Sequence, residues 1–206
     1  MSGEVIASGR TGRKEARQTR RQTAVRSKGG RSHRVEAEQQ IRLFRYVERV
    51  SKITGKHKAW KILEDLVAEK RLDWLNERRI IPGADRNVVE GAFDLFYRQY
   101  LGARDEELEV VERKPDKIVV RCRNPCPTLE ACEKLGMDTR FVCKAVYEKP
   151  TQAFFRTIHP RLRFTRDYDR IRPYADFCEE TVEFVRGQGR HKTGQPASSQ
   201  DPLGGE

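Results

Sequence analysis

The chain has 206 residues, 35% of them charged, with a formal net charge of +11 and a mean hydropathy of -0.81. No stretch approaches the ~18 consecutive apolar residues of a membrane span, and the N-terminal MSGEVIASGRTGRKEARQTRRQ lacks the apolar core of a secretory signal, so the expectation is a cytoplasmic protein without membrane contact. Five cysteines, an odd number without an export signal, point to reduced thiols rather than a disulfide framework.

The charge is unevenly placed. Residues 1–34 hold ten Lys/Arg against two Glu, whereas residues 35–185 hold 29 basic and 27 acidic side chains. A basic segment so poor in large apolar groups cannot offset its conformational entropy by burial, so 1–34 is expected to be a disordered basic tail. The tail 187–206 reads the same way, leaving 35–186 as a single domain.

From Val35 the apolar residues Ile41, Phe44, Val47 and Val50 recur at helical spacing, with Gly55 just beyond the end. A second helix carries Ala59, Trp60, Leu63, Leu66, Val67 and Trp74, and the Ile-Ile-Pro-Gly stretch at 80–83 breaks it. Asp85 is the expected cap of a third, with Val89, Phe93, Phe96, Tyr97 and Tyr100 on its apolar face, stopped near Gly102. These aromatic faces are what a plain core requires; the alternative is a ligand wall.

After Gly102 two β-rich runs, LEVVER and KIVVRC, flank Lys-Pro-Asp and predict a hairpin. Thr128 is the expected cap of a short helix ending near Gly136. Asp138 is the expected cap of the next, which runs through Phe141, Cys143 and Val146 until Pro150 interrupts it; Thr151 starts one more turn toward His159. Strands follow at 161–168 and 177–184, joined by DRIRPYAD. The predicted class is α+β: N-terminal helices packed on a small antiparallel sheet, with a helical insertion between hairpins.

All five cysteines, Cys122, Cys126, Cys132, Cys143 and Cys178, fall in this second half. Cys122, Cys126, Cys132 and Cys143 form a candidate metal set for zinc or an iron–sulfur cluster, although only the gap between the first two matches the paired spacing of structural zinc sites. The alternative is that they are small buried hydrophobes. Strand alternation puts Cys178 and Glu180 on one face and Glu179 on the other, which makes Cys178 a candidate nucleophile and Glu180 its partner. His159, held before Pro160, is a candidate acid–base group. Arg166 and Arg172 have the fork geometry that binds a substrate carboxylate; the alternative is a solvated ladder of ion pairs.

The segment from Cys122 to Phe184 resembles the L-2-amino-thiazoline-4-carboxylic acid hydrolase family. The similarity lies in Asn-Pro-Cys-Pro at 124–127 before a helix ending in Leu135-Gly136, in Phe141-Val142-Cys143, and in Phe164-Thr165-Arg166 leading to Phe177-Cys178-Glu179. Here the late turn has no glycine and Glu180 replaces an aromatic. The resemblance implies an α+β enzyme that hydrolyses a carbon–nitrogen bond of a small cyclic amidine. Cys178 would then be nucleophile or metal ligand, Glu180 or His159 would move the proton, and Arg166 would hold the substrate carboxylate. Two other classes stand beside it: a non-catalytic metal or small-molecule binding domain, and a nucleic-acid-associated protein acting through residues 1–34.

Overall fold

The computed structural model describes residues 11–78 and 87–185, with side chains from residue 33 onward. Helix α1 spans Thr11–Thr54 and is followed, after Gly55 at φ 87°, by α2, Lys56–Glu77. Part of the segment expected to be a disordered tail is therefore backbone helix. Arg, Lys, Gln, Glu and Ala are good helix formers, and extending a packed helix costs less than nucleating a new one. The expected tail residues 1–10 and 187–206, the breaker at 80–83 and Asp85 lie outside the described residues.

Helix α3, Val88–Phe93, is capped by Asn87, whose side chain accepts from the Val89 N–H at 3.0 Å. It continues as a π-helical stretch over Asp94–Tyr100. The hairpin forms as expected from β1, Leu108–Lys114, and β2, Lys117–Cys122. Helix α4, Pro127–Leu135, is capped by Cys126 rather than Thr128, with Pro127 in its first turn and Gly136 in the left-handed conformation after it. Asp138 caps α5, Thr139–Val142, and a π-helical turn over Cys143–Tyr147 leads into α6, Glu148–Ile158. Pro150 does not interrupt a helix. It sits in the first turn of α6, where a missing N–H costs little. Strands β3, Leu162–Arg166, and β4, Cys178–Phe184, complete the chain.

The sheet order is β1-β2-β4-β3 with every pair antiparallel. Helices therefore pack with a four-stranded antiparallel sheet, an α+β fold. Alternation sends Ile118, Val120, Leu162, Phe164 and Val182 inward, where they meet Phe93, Phe96, Tyr97, Phe154 and Phe155. Phe155 stacks on Phe164 with centroids 5.6 Å apart. Each such buried ring stabilises the fold by about 1.5–3 kcal/mol. A second core joins α1, α2, α4 and α5 through Phe44, Trp60, Leu63, Cys132, Val142 and Val146. The outward face is charged: Arg121 reaches Glu179 at 2.9 Å and Arg163 lies 3.8 Å from Glu183.

Candidate functional site

The inward face of the sheet is apolar over most of its length and turns polar at one end. Cys122, at the end of β2, is the register partner of Cys178, at the start of β4. Two residues along β4 on the same face is Glu180, whose register partner on β3 is Arg166. The sequence pattern placed Cys178 and Glu180 together; the sheet adds Cys122 and Arg166.

Glu180 is only 5% exposed, and both of its oxygens are engaged. Oε1 accepts from Arg166 Nε at 2.7 Å and Nη2 at 2.5 Å, and Oε2 accepts from the Tyr97 hydroxyl at 2.6 Å. Burial and the adjacent Glu180 charge push the Tyr97 hydroxyl well above its ordinary value, so it stays a donor. Burial opposes the charge on Arg166, but Glu180 more than offsets it and holds the guanidinium firmly protonated. Arg166 Nη1 is buried without a hydrogen-bond partner.

Arg172 comes from the β3–β4 loop. Its Nη1 donates to the Asn124 carbonyl at 2.9 Å, while Nε is buried and unpartnered. Burial works against its charge, but the Cys178 thiol, with Cys126 and Cys122 beyond it, draws the proton affinity up. Cys143 stands within electrostatic range of Arg166 and of Cys126, Cys178 and Cys132, and Arg172 of Cys178, Cys126 and Cys122, so both guanidinium groups gather with the thiols in one largely buried polar chamber. Cys178 is half-buried, and so is Cys126.

The thiols are not equivalent. Burial pushes Cys122 up to about 12, and its Sγ donates to Asn124 Oδ1 at 3.0 Å. Burial raises Cys143 to about 12 and Cys132 to about 11. Cys126 is also raised by burial, while its sulfur accepts from the Leu129 N–H at 3.5 Å as the cap of α4. Cys132 also packs into the core formed with α1 and α2. Among the described residues no three of His, Cys, Asp or Glu form a group that could hold a metal ion, so the expected set of Cys122, Cys126, Cys132 and Cys143 does not converge as ligands for zinc or a cluster.

His159 does not join Cys178 and Glu180. It ends α6, its Nδ1 accepts from the Arg161 N–H at 3.1 Å, and its ring lies 4.9 Å from that of Phe184. Phe184 and Cys178 are opposite ends of β4, ~20 Å apart along the strand.

Three chamber residues carry no catalytic motif in the sequence. Tyr97 sits on an aromatic helical stripe that reads as core. Asn124 lies in a Pro-flanked turn. Arg71, 6% exposed on α2, donates to Thr151 Oγ1 and to the Tyr147 carbonyl, with the Phe96, Tyr100 and Tyr147 rings 5.6–5.7 Å away. Burial lowers its proton affinity. Its one advance signal was a cation in line with the buried face of α2.

Chemically, the arrangement presents cationic N–H donors beside a half-buried thiol, with a carboxylate fixed behind them. No family model matches this chain, and no curated protein or solved structure matches it either.

Proposed function

We propose that the chamber binds a small carboxylate-bearing compound and that the protein is a thiol-dependent hydrolase of a carbon–nitrogen bond in a cyclic amidine or related molecule. The observation that carries this reading is the Arg172 guanidinium beside Cys178 with its Nε buried and unpartnered. A buried, unpaired guanidinium N–H beside the thiol favours an incoming carboxylate. The resemblance of Cys122–Phe184 to the amino-thiazoline carboxylate hydrolases supports the same substrate class.

In the step this implies, the Cys178 sulfur adds to the amidine carbon. The ring C–N bond then breaks, with the nitrogen leaving as the protonated amine, and water displaces the sulfur to regenerate the thiol. One water is consumed per ring opened. Glu180 is a positioning residue here: its two oxygens are committed to Arg166 and Tyr97, so it fixes Arg166 rather than moving the proton.

The test is ring opening of 2-amino-thiazoline-4-carboxylate followed by mass spectrometry. Cys178→Ser should lower kcat by roughly two orders of magnitude or more with the fold intact. Arg172→Gln should raise KM by about tenfold or more, the loss of a charge-assisted contact. Full activity in Cys178→Ser would remove the thiol mechanism. The engagement of both Glu180 oxygens favours a second reading, a binding domain without turnover. Thermal stabilisation by the carboxylate with no ring opening would select it.

A further inference from the structure

A groove of about 1080 Å3 lies away from the chamber, between the C-terminal half of α1, the start of α2 and the Gly136–Phe141 segment. Five of its lining residues are cations: Arg42, Arg45, Arg49, Lys52 and Lys56. The first four recur at steps of three and four on α1, which sets them in one row along the helix. From Arg42 to Lys52 the row covers ~15 Å.

On and around the sheet many cations are neutralised. Arg113, Lys117, Arg121, Arg123, Arg163 and Arg170 each stand within 4.0 Å of a carboxylate. Among the described residues no carboxylate pairs with Arg42, Arg45, Arg49 or Lys52. The groove contains two acids, Glu48 and Asp138. Asp138 is already engaged, accepting from the Arg140 N–H at 2.8 Å and the Tyr174 hydroxyl at 3.1 Å. A concave row of unpaired cations focuses a positive potential that an exposed charge ladder does not.

The groove also holds an aromatic platform. Phe141 is 39% exposed, stands edge-on to Trp60 with centroids 5.5 Å apart, and has Lys56 Nζ 4.7 Å from its ring centre. Cations tracking a backbone beside an open ring are the two elements of single-strand recognition, phosphate neutralisation and base stacking. Nine more Lys/Arg fall between residues 13 and 34 of the sequence.

We infer that this groove binds single-stranded nucleic acid, with Arg42, Arg45, Arg49 and Lys52 on phosphates and Phe141 stacked on a base. Binding then belongs to the folded body, not to the N-terminal basic run alone.

The experiment is fluorescence anisotropy on the full chain with labelled oligo-dT and oligo-U of ~15 nucleotides across a salt series. Both strands should bind, with a salt dependence shallower by about 1.4 in the double variant Arg45→Glu/Arg49→Glu, since each phosphate neutralised on a single strand contributes about 0.7 to the slope. Affinity at fixed salt should fall at least tenfold in that variant. Phe141→Ala should weaken both oligonucleotides about tenfold while leaving binding of heparin unchanged. These side chains are exposed, and circular dichroism verifies the fold. Unchanged affinity in the double variant would overturn the inference and leave the N-terminal run as the only contact. An equal loss of heparin and oligonucleotide in Phe141→Ala, or no oligonucleotide binding at low salt, would overturn it as well. A preference for one strand decides between RNA and DNA as the occupant.

Discussion

Glu180 holds a negative charge inside the fold by giving each oxygen a donor, and each donor depends on it in return. Removing the Tyr97 hydroxyl leaves Oε2 buried and unsatisfied, so Tyr97→Phe should cost about 1–3 kcal/mol. Glu180→Gln leaves Arg166 buried without its counter-charge and should cost more, about 3–5 kcal/mol. Urea denaturation of the two variants measures both, and the order of the two losses is the sharper test. If Glu180→Gln proves the milder, the carboxylate is not what holds Arg166 in place.

The turn between α4 and α5 shows how much local sequence determines. Gly136 at φ 64° ends α4, the Met137 N–H returns to the Cys132 carbonyl at 2.9 Å, and Asp138 at once caps α5. A Cβ at Gly136 would meet no atom within 4 Å, so Gly136→Ala carries only the backbone strain of the left-handed region, about 1–2 kcal/mol. Thermal melting should register that loss with the fold otherwise unchanged. Such punctuation was legible in the sequence, as were the hairpin, the late strands and the helical faces, because glycine, Asx caps and apolar periodicity act over a few residues. The two π-helical stretches were not: a single extra residue per turn at Asp94–Tyr100 and Cys143–Tyr147 leaves no mark in the apolar pattern. Nor was the pairing of Cys122 with Cys178, which depends on which strands become neighbours. The concentration of cysteines drew attention to the end of the sheet where Cys122 meets Cys178, while Tyr97 and Arg71 were hidden because helical spacing looks the same for a packed side chain and for one that donates a hydrogen bond.

Taken together, the buried thiols tie the stability of the molecule to alkaline pH. Cys122 and Cys143 keep their protons up to about 12 in the fold, and Cys132 up to about 11, whereas an unperturbed thiol releases its proton near 9.0. Between those limits the unfolded chain binds fewer protons than the folded one, so unfolding becomes easier as pH rises. Stability should be insensitive to these groups below about pH 9 and should fall continuously from there toward 12. Urea midpoints across that window test it, and a Cys132→Ala/Cys143→Ala chain should show a shallower fall.

The sheet order has a mechanical consequence for the chamber. Glu180 rides on β4 where that strand pairs with both β2 and β3, so local opening there means breaking two ladders at once, while Cys178 precedes the β3 ladder and pairs with β2 alone. Arg172 rides on the β3–β4 loop and reaches Asn124 through one hydrogen bond. Substitutions on β4 should therefore threaten the survival of the whole fold, whereas loss of the Arg172 side chain should cut one tie between the loop and the turn at Asn124 and leave the sheet standing.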